Sequence, residues 1–122
     1  MRKPRIFIIA PEMTSDGRPI TMRNRDQYEA ISDKLNRLGL VAVCPDHENE
    51  GGDLPGFEAS VIARAAQMKE CDMALLVPGW QDCRLASKMQ ETAELNEVYF
   101  HPLMNGYDAL QRFALNLVRL RA

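Results

Sequence analysis

The sequence predicts an α/β fold on a short parallel sheet, and three observations carry that prediction. Four apolar runs of strand length alternate with four segments of helical period, the order of a βαβ chain whose sheet is covered on both faces. The runs hold Ile, Val, Leu and aromatic residues with little polar alternation, as strands buried on both sides do. Two long polar loops follow the first two runs, at the strand ends where open parallel sheets hold their ligands. The expected architecture is a three-layer sandwich of the Rossmann or flavodoxin kind.

The strands are expected at residues 5–10, 41–44, 73–77 and 98–100. Between the first two, Tyr28, Ile31, Leu35 and Leu38 recur at helical spacing, and Gly39 stands where a C-cap glycine would end the helix. Phe57, Val61, Ala65 and Met68 form a second stripe, opened by Pro55-Gly56 and ending near Cys71-Asp72. A third helix is expected over residues 84–96, and a fourth buries Leu110, Phe113, Ala114, Leu117 and Val118. The loops span residues 11–23 and 45–56, with Gly and Pro as turn formers.

Composition bounds the function. At 122 residues and 46% hydrophobic content, the chain is expected to form one domain over residues 1–122. A net charge of −2 supplies no basic face for a nucleic-acid polymer. Three cysteines, Cys44, Cys71 and Cys83, lie far apart without a C-x-x-C pair, which fits a reducing, cytoplasmic setting. The apolar run at residues 6–10 is too short for a membrane span or signal core, so no membrane partner is expected. His47 and His101 are isolated and read as surface residues rather than a metal site. Neither a G-x-G-x-x-G nor a P-loop spacing occurs.

Three segments carry a resemblance. The first is Ile8-Ile9-Ala10-Pro11-Glu12-Met13-Thr14; the second runs from Asn24 through Tyr28, Leu35 and Gly39 to Val41-Ala42-Val43-Cys44-Pro45. The third, the most specific, is Cys71-Asp72 followed by an apolar strand and then Pro78-Gly79-Trp80-Gln81-Asp82-Cys83. Together they resemble the nucleoside 2-deoxyribosyltransferase-like family, in particular a small branch common in phage and prophage genomes. The likeness spans about residues 5–103.

That resemblance implies a protein that binds a nucleoside or nucleotide, needs no cofactor, and assembles as a homodimer or higher homo-oligomer. Active members cleave or exchange the N-glycosidic bond with a glutamate nucleophile on the helix after the Gly-Trp signature, by logic akin to retaining glycosidases. In a gapless register the nucleophile position is Met89, and a thioether cannot attack an anomeric carbon. Met89 is expected to face the crevice. Glu91 is the nearest carboxylate, but two helical residues lie about 200° apart, so it should point elsewhere. Two departures, Leu85 for a glycine and Cys83 for a phosphate-contacting serine, point the same way. Hydrolysis or transfer is therefore expected to be weak or lost; an active chain would be a deoxyribosyltransferase or a nucleotide N-glycosidase with Glu91 and Asp82 as its acids. The alternative is a non-catalytic, phage-encoded module that binds a host protein or sequesters a nucleotide.

Each candidate also has an ordinary reading. Asp82 would contact sugar hydroxyls, or N-cap a helix; Asn24 would donate to a ligand, or cap the first helix. Asp72 is a pocket residue or a solvated turn aspartate. Trp80 stacks on a base or plugs the sheet edge, and Met13, Thr14 and Gly79 line the pocket only through the resemblance. Cys83 at a helix amino end is a reactive thiol only if a base stands beside it. Arg25, Arg64 and Arg84 are candidate counter-charges for a phosphate, and residues 46–53 form an acidic lid or a solvated turn.

Overall fold

The computed structural model describes residues 2–11, 21–44 and 54–121. In chain order the elements are β1 (Arg5–Ile9), α1 (Thr21–Arg37), β2 (Val41–Val43), α2 (Leu54–Lys69), β3 (Met73–Leu76), α3 (Arg84–Leu95), β4 (Phe100–Pro102) and α4 (Tyr107–Arg121). Short 3-10 turns at Trp80–Asp82 and Leu103–Asn105 precede α3 and α4. The four strands form one sheet in the order β2-β1-β3-β4, and every pair is parallel. This is an α/β architecture compatible with a Rossmann or flavodoxin-like fold.

Strand β1 sits inside the sheet, and alternation sorts its side chains between two cores. Ile6 and Ile8 join Tyr28, Ile31 and Leu35 of α1 and Leu110 and Ala114 of α4. Phe7 and Ile9 join Met68 of α2 and Leu85, Met89 and Ala93 of α3. Strand β3 divides likewise, with Met73 and Leu75 toward the first core and Ala74 and Leu76 toward the second. Each large side chain so enclosed contributes about 1.5–3 kcal/mol.

Strands β1, β2 and β3 and helix α3 each end one residue before the expected position, β4 runs two residues beyond it, and three starts differ by more. Strand β4 starts at Phe100 rather than 98, because Val98 N–H still donates to Ala93 O at 2.8 Å and closes the end of α3. Just before it, Glu97 takes a left-handed conformation at φ 56°. Helix α2 admits Leu54, Pro55 and Gly56 into its first turn, where proline lacks only an N–H that would be unpaired anyway. Helix α1 starts at Thr21, so Asn24 lies within the helix and is not its cap.

Asp72 ties the amino end of the sheet together. It is 2% exposed, and its Oδ2 accepts from Arg5 N at 2.7 Å and Arg2 Nη1 at 2.7 Å. Its Oδ1 accepts from Arg2 Nη2. This fork fastens residues that are 70 positions apart, with β1 and β3 held in register. The bond and then the charge of Asp72 push the Arg2 pKa upward. Replacing Asp72 by Ala removes the acceptor of the Arg5 N–H and of the Arg2 guanidinium, an expected loss of about 1–3 kcal/mol in urea unfolding. Arg2→Ala should also destabilise the fold, because it leaves the Asp72 carboxylate, 3% exposed, without its counter-charge.

Candidate functional site

The carboxyl ends of the two central strands meet at a tight turn. Val77 N–H donates to Ile9 O at 2.9 Å, carrying the β1–β3 ladder one step past the strands. The chain then reverses at Gly79, whose φ of +96° favours glycine. A Cβ at Gly79 would stand 3.3 Å from Pro11 Cγ, so the glycine also permits close approach of the segment leaving β1. Two of the three segments of the resemblance are thereby in contact.

From Gly79 the chain makes one 3-10 turn. Trp80 N donates to Val77 O, Asp82 N to Gly79 O and Cys83 N to Trp80 O, each at 3.2 Å. The Ser87 hydroxyl lies 3.2 Å from both Trp80 O and Gln81 O, bracing the turn against α3. Trp80 is half-buried against the second core, while Gln81 and Asp82 are exposed. The turn presents an aromatic surface beside an amide and a carboxylate.

Cys83, not Asp82, caps α3. Its backbone is extended at φ −106° and ψ 119°, and its side chain accepts from Ala86 N at 3.5 Å. At 0% exposure its thiol is part of the core and is not a surface contact for phosphate. Arg64 of α2 is 2% exposed, and burial pushes its pKa down to about 10 against an opposing electrostatic pull from Cys83. Sequence could name Arg64 as a cation but could not show it beside the α3 cap. Arg84 is exposed on α3. The side chain of Arg25 is outside the described residues.

Met89 differs from the sequence expectation that it faces the crevice, whereas Glu91 points away from it as the helical spacing requires. Met89 is 2% exposed and packs with Phe7, Ile9 and Leu85 in the second core. It lies under α3, against the sheet, and does not face the crevice. Glu91 points to the other side of the helix, 57% exposed and 3.6 Å from Lys88 Nζ, in a surface depression with Arg84 and Ser87. The helical turn of about 200° between the two positions accounts for both placements, and Glu91 is not brought to Trp80.

Asp72, read as a pocket or solvated turn residue, is neither. It precedes β3 at the amino end of the sheet and is occupied by Arg2 and Arg5. Met13, Thr14, His47 and the loop 46–53 lie outside the described residues, as does the Asn24 side chain. His101 is not a surface residue: it is half-buried, its ring lies 6.2 Å from that of Phe113, and its Nε2 is buried without a hydrogen-bond partner. Desolvation lowers its pKa, opposed by a backbone hydrogen bond to Gly106. Among the described residues, no group of three His, Cys, Asp or Glu could hold a metal, and no helix is long and apolar enough to cross a membrane.

Comparison with models of known families, with curated proteins and with solved structures finds no match.

Two outcomes follow from these placements. Met89→Ala should cost about 2–5 kcal/mol in chemical denaturation, as a buried methionine does, and Met89→Glu should cost at least as much because it buries a charge. A folded Met89→Glu protein with unchanged stability would contradict the position of this side chain. For His101 the unfolded chain binds the proton more readily than the native one, so stability should rise with pH through the range just below 6.5. Thermal melts of the parent should lose more on acidification through that range than melts of His101→Gln.

Proposed function

We propose that the carboxyl ends of β1 and β3 form the nucleoside or nucleotide pocket of a three-layer, deoxyribosyltransferase-like domain whose glycosidic chemistry is weak or lost. The observation that carries this reading is the contact of the Gly79 turn with Pro11, because it joins segments that resemble the family separately. Trp80 then supplies a face on which a base stacks, and Asp82 supplies acceptors for sugar hydroxyls. The amino end of α3 favours a phosphate through its free N–H groups and helix dipole.

The chemistry is limited by carboxylates. A retaining mechanism needs one acid to attack the anomeric carbon and a second to assist the leaving base. Among the described residues, Asp82 is the carboxylate on the turn, while position 89 faces the core and Glu91 is turned to solvent. The loss of reactivity thus rests on helix phase as well as on the identity of residue 89. The same shortage favours the alternative of a non-catalytic module that sequesters a nucleotide or binds a host protein.

Deoxynucleosides and deoxynucleoside monophosphates at about a hundredfold excess over Kd should raise Tm by roughly 5–10 °C, with no free base released. Trp80→Ala and Asp82→Ala should remove most of the shift without unfolding the chain. An absent shift with every ligand would sink the pocket and leave the host-protein reading. Base release that disappears in Asp82→Asn or Glu91→Gln would instead establish retained chemistry.

A further inference from the structure

The proposed pocket leaves unused a groove at the far edge of the sheet. Strand β4 is the edge strand there, and a hollow of about 690 Å³ is lined by Val98, Tyr99 and Phe100 at β4, Leu117 and Leu120 of α4, and Glu94 and Glu97 at the end of α3. Much of the apolar lining meets solvent: Tyr99 is 53% exposed, Phe100 37% and Leu120 83%. Single exposed leucines need no explanation, whereas apolar side chains gathered around one concave site mark a surface that a partner covers.

The acidic side of the groove narrows the choice of partner. Helix α3 closes with Val98 N–H donating to Ala93 O at 2.8 Å and Glu97 N–H to Glu94 O at 3.3 Å. This is a Schellman pair with Glu97 in the left-handed position at φ 56°, where glycine is the ordinary occupant. Glu94 stands in the last turn of a helix that carries no basic residue there, although the helix dipole favours cations at that end. Among the described residues neither carboxylate is in an ion pair, and Glu94 accepts only from Gln90 Nε2 at 3.5 Å. Both glutamates thus oppose local folding preference, and they do so beside an apolar groove. Departures of that kind gather where a surface serves binding rather than folding.

We propose that this groove receives a basic amphipathic segment of another protein, its apolar side chains seated on Phe100, Leu117 and Leu120 and its lysine or arginine heads reaching Glu94 and Glu97. An apolar segment without cations would leave two carboxylates desolvated and unpaired, and the phosphates of a nucleic acid or an anionic lipid surface would be repelled. A helix with Leu at i, i+3, i+4 and i+7 and Lys on the adjoining face meets both demands, and a cation beside Tyr99 gains further from the ring. The proposal gives the protein-partner alternative a surface and a chemistry. It does not rest on the nucleotide reading, since no residue of the Gly79 turn takes part.

The test is fluorescence anisotropy of the full chain against two labelled peptides of roughly 18 residues, long enough to form a helix. One carries Leu and Lys at that spacing, the other Glu in place of each Lys. The Lys peptide should bind saturably at physiological salt and the Glu peptide should not. E94K/E97K should weaken the Lys peptide by about tenfold or more and admit the Glu peptide. E29K/D33K, the same charge change at exposed positions of α1, should leave the preference unchanged. Leu120→Ser should weaken binding while circular dichroism stays that of the parent, and Trp80→Ala should have no effect. Glu97→Gly should raise Tm by relieving the left-handed glutamate and still weaken the Lys peptide. Absence of saturable binding, equal affinity for both peptides, or E29K/D33K acting like E94K/E97K would overturn the proposal. So would a Glu97→Gly protein that binds as tightly as the parent, or self-association through Leu120 that shuts the peptide out. Should Leu120→Ser not fold, the two charge pairs decide alone.

Discussion

The pairing of β1 with β3 is the constraint on which the other positions depend. Ile6 through Ile9 stand opposite Met73 through Leu76, and the side chains of both strands are enclosed on both faces of the sheet. A slip of one residue would exchange the two cores, driving Phe7 into the space that fits Ile8 and the reverse. Register is therefore held by packing along the strands and by the Asp72 fork at their start. With the register set, Pro11 and Gly79 must emerge side by side.

Gly79 converts that placement into a turn. A side chain at this position would meet both the left-handed backbone and Pro11, so the close approach of the two segments depends on the missing Cβ. The following 3-10 turn ends on Cys83, whose thiol is drawn into the core to cap α3. A serine would cap the helix as well or better, but its hydroxyl would carry a stronger hydrogen-bonding demand into an apolar site. The cysteine therefore suits burial and gives up surface contact. Ser87 then ties α3 back to the turn, so the helix phase and the turn are set together.

Much of the fold was legible in the sequence because its signals are local. The strands through Ile6–Ile9 and Met73–Leu76 are unbroken apolar runs, and the stripes of α1 and α4 repeat at helical spacing, although Phe113, expected in the buried face of α4, is 38% exposed. What was not legible depends on distance along the chain or on a competing register. Asp72 looks like a turn residue until Arg2 is brought to it across 70 positions. Val98 looks like strand until its N–H is claimed by Ala93. Met89 is the instructive case: counting from Gly79 assigns it to a crevice, whereas Leu85, Met89 and Ala93, four apart, form a core stripe. The periodic signal was present and should have outweighed the count, since a helix packed on a sheet must bury such a stripe. At the candidate site, the identities of Gly79, Trp80 and Asp82 were readable, but the contact with Pro11 and the placement of Arg64 were not.

Helix α3 runs from the Gly79 turn toward the β4 edge of the sheet. Its amino end is fixed by Cys83 and Ser87 beneath the Gly79 turn, and its carboxyl end brings Glu94 to a groove shared with Tyr99 and Phe100 at the β4 edge. Twelve residues span about 18 Å, enough to separate the Gly79 turn from the β4 edge of the sheet. The helix is anchored between them by Leu85, Ala86, Met89 and Ala93, all on the face toward the sheet. The packing that turns position 89 into the core is what fixes the phase of α3, and with it the outward placement of Glu91.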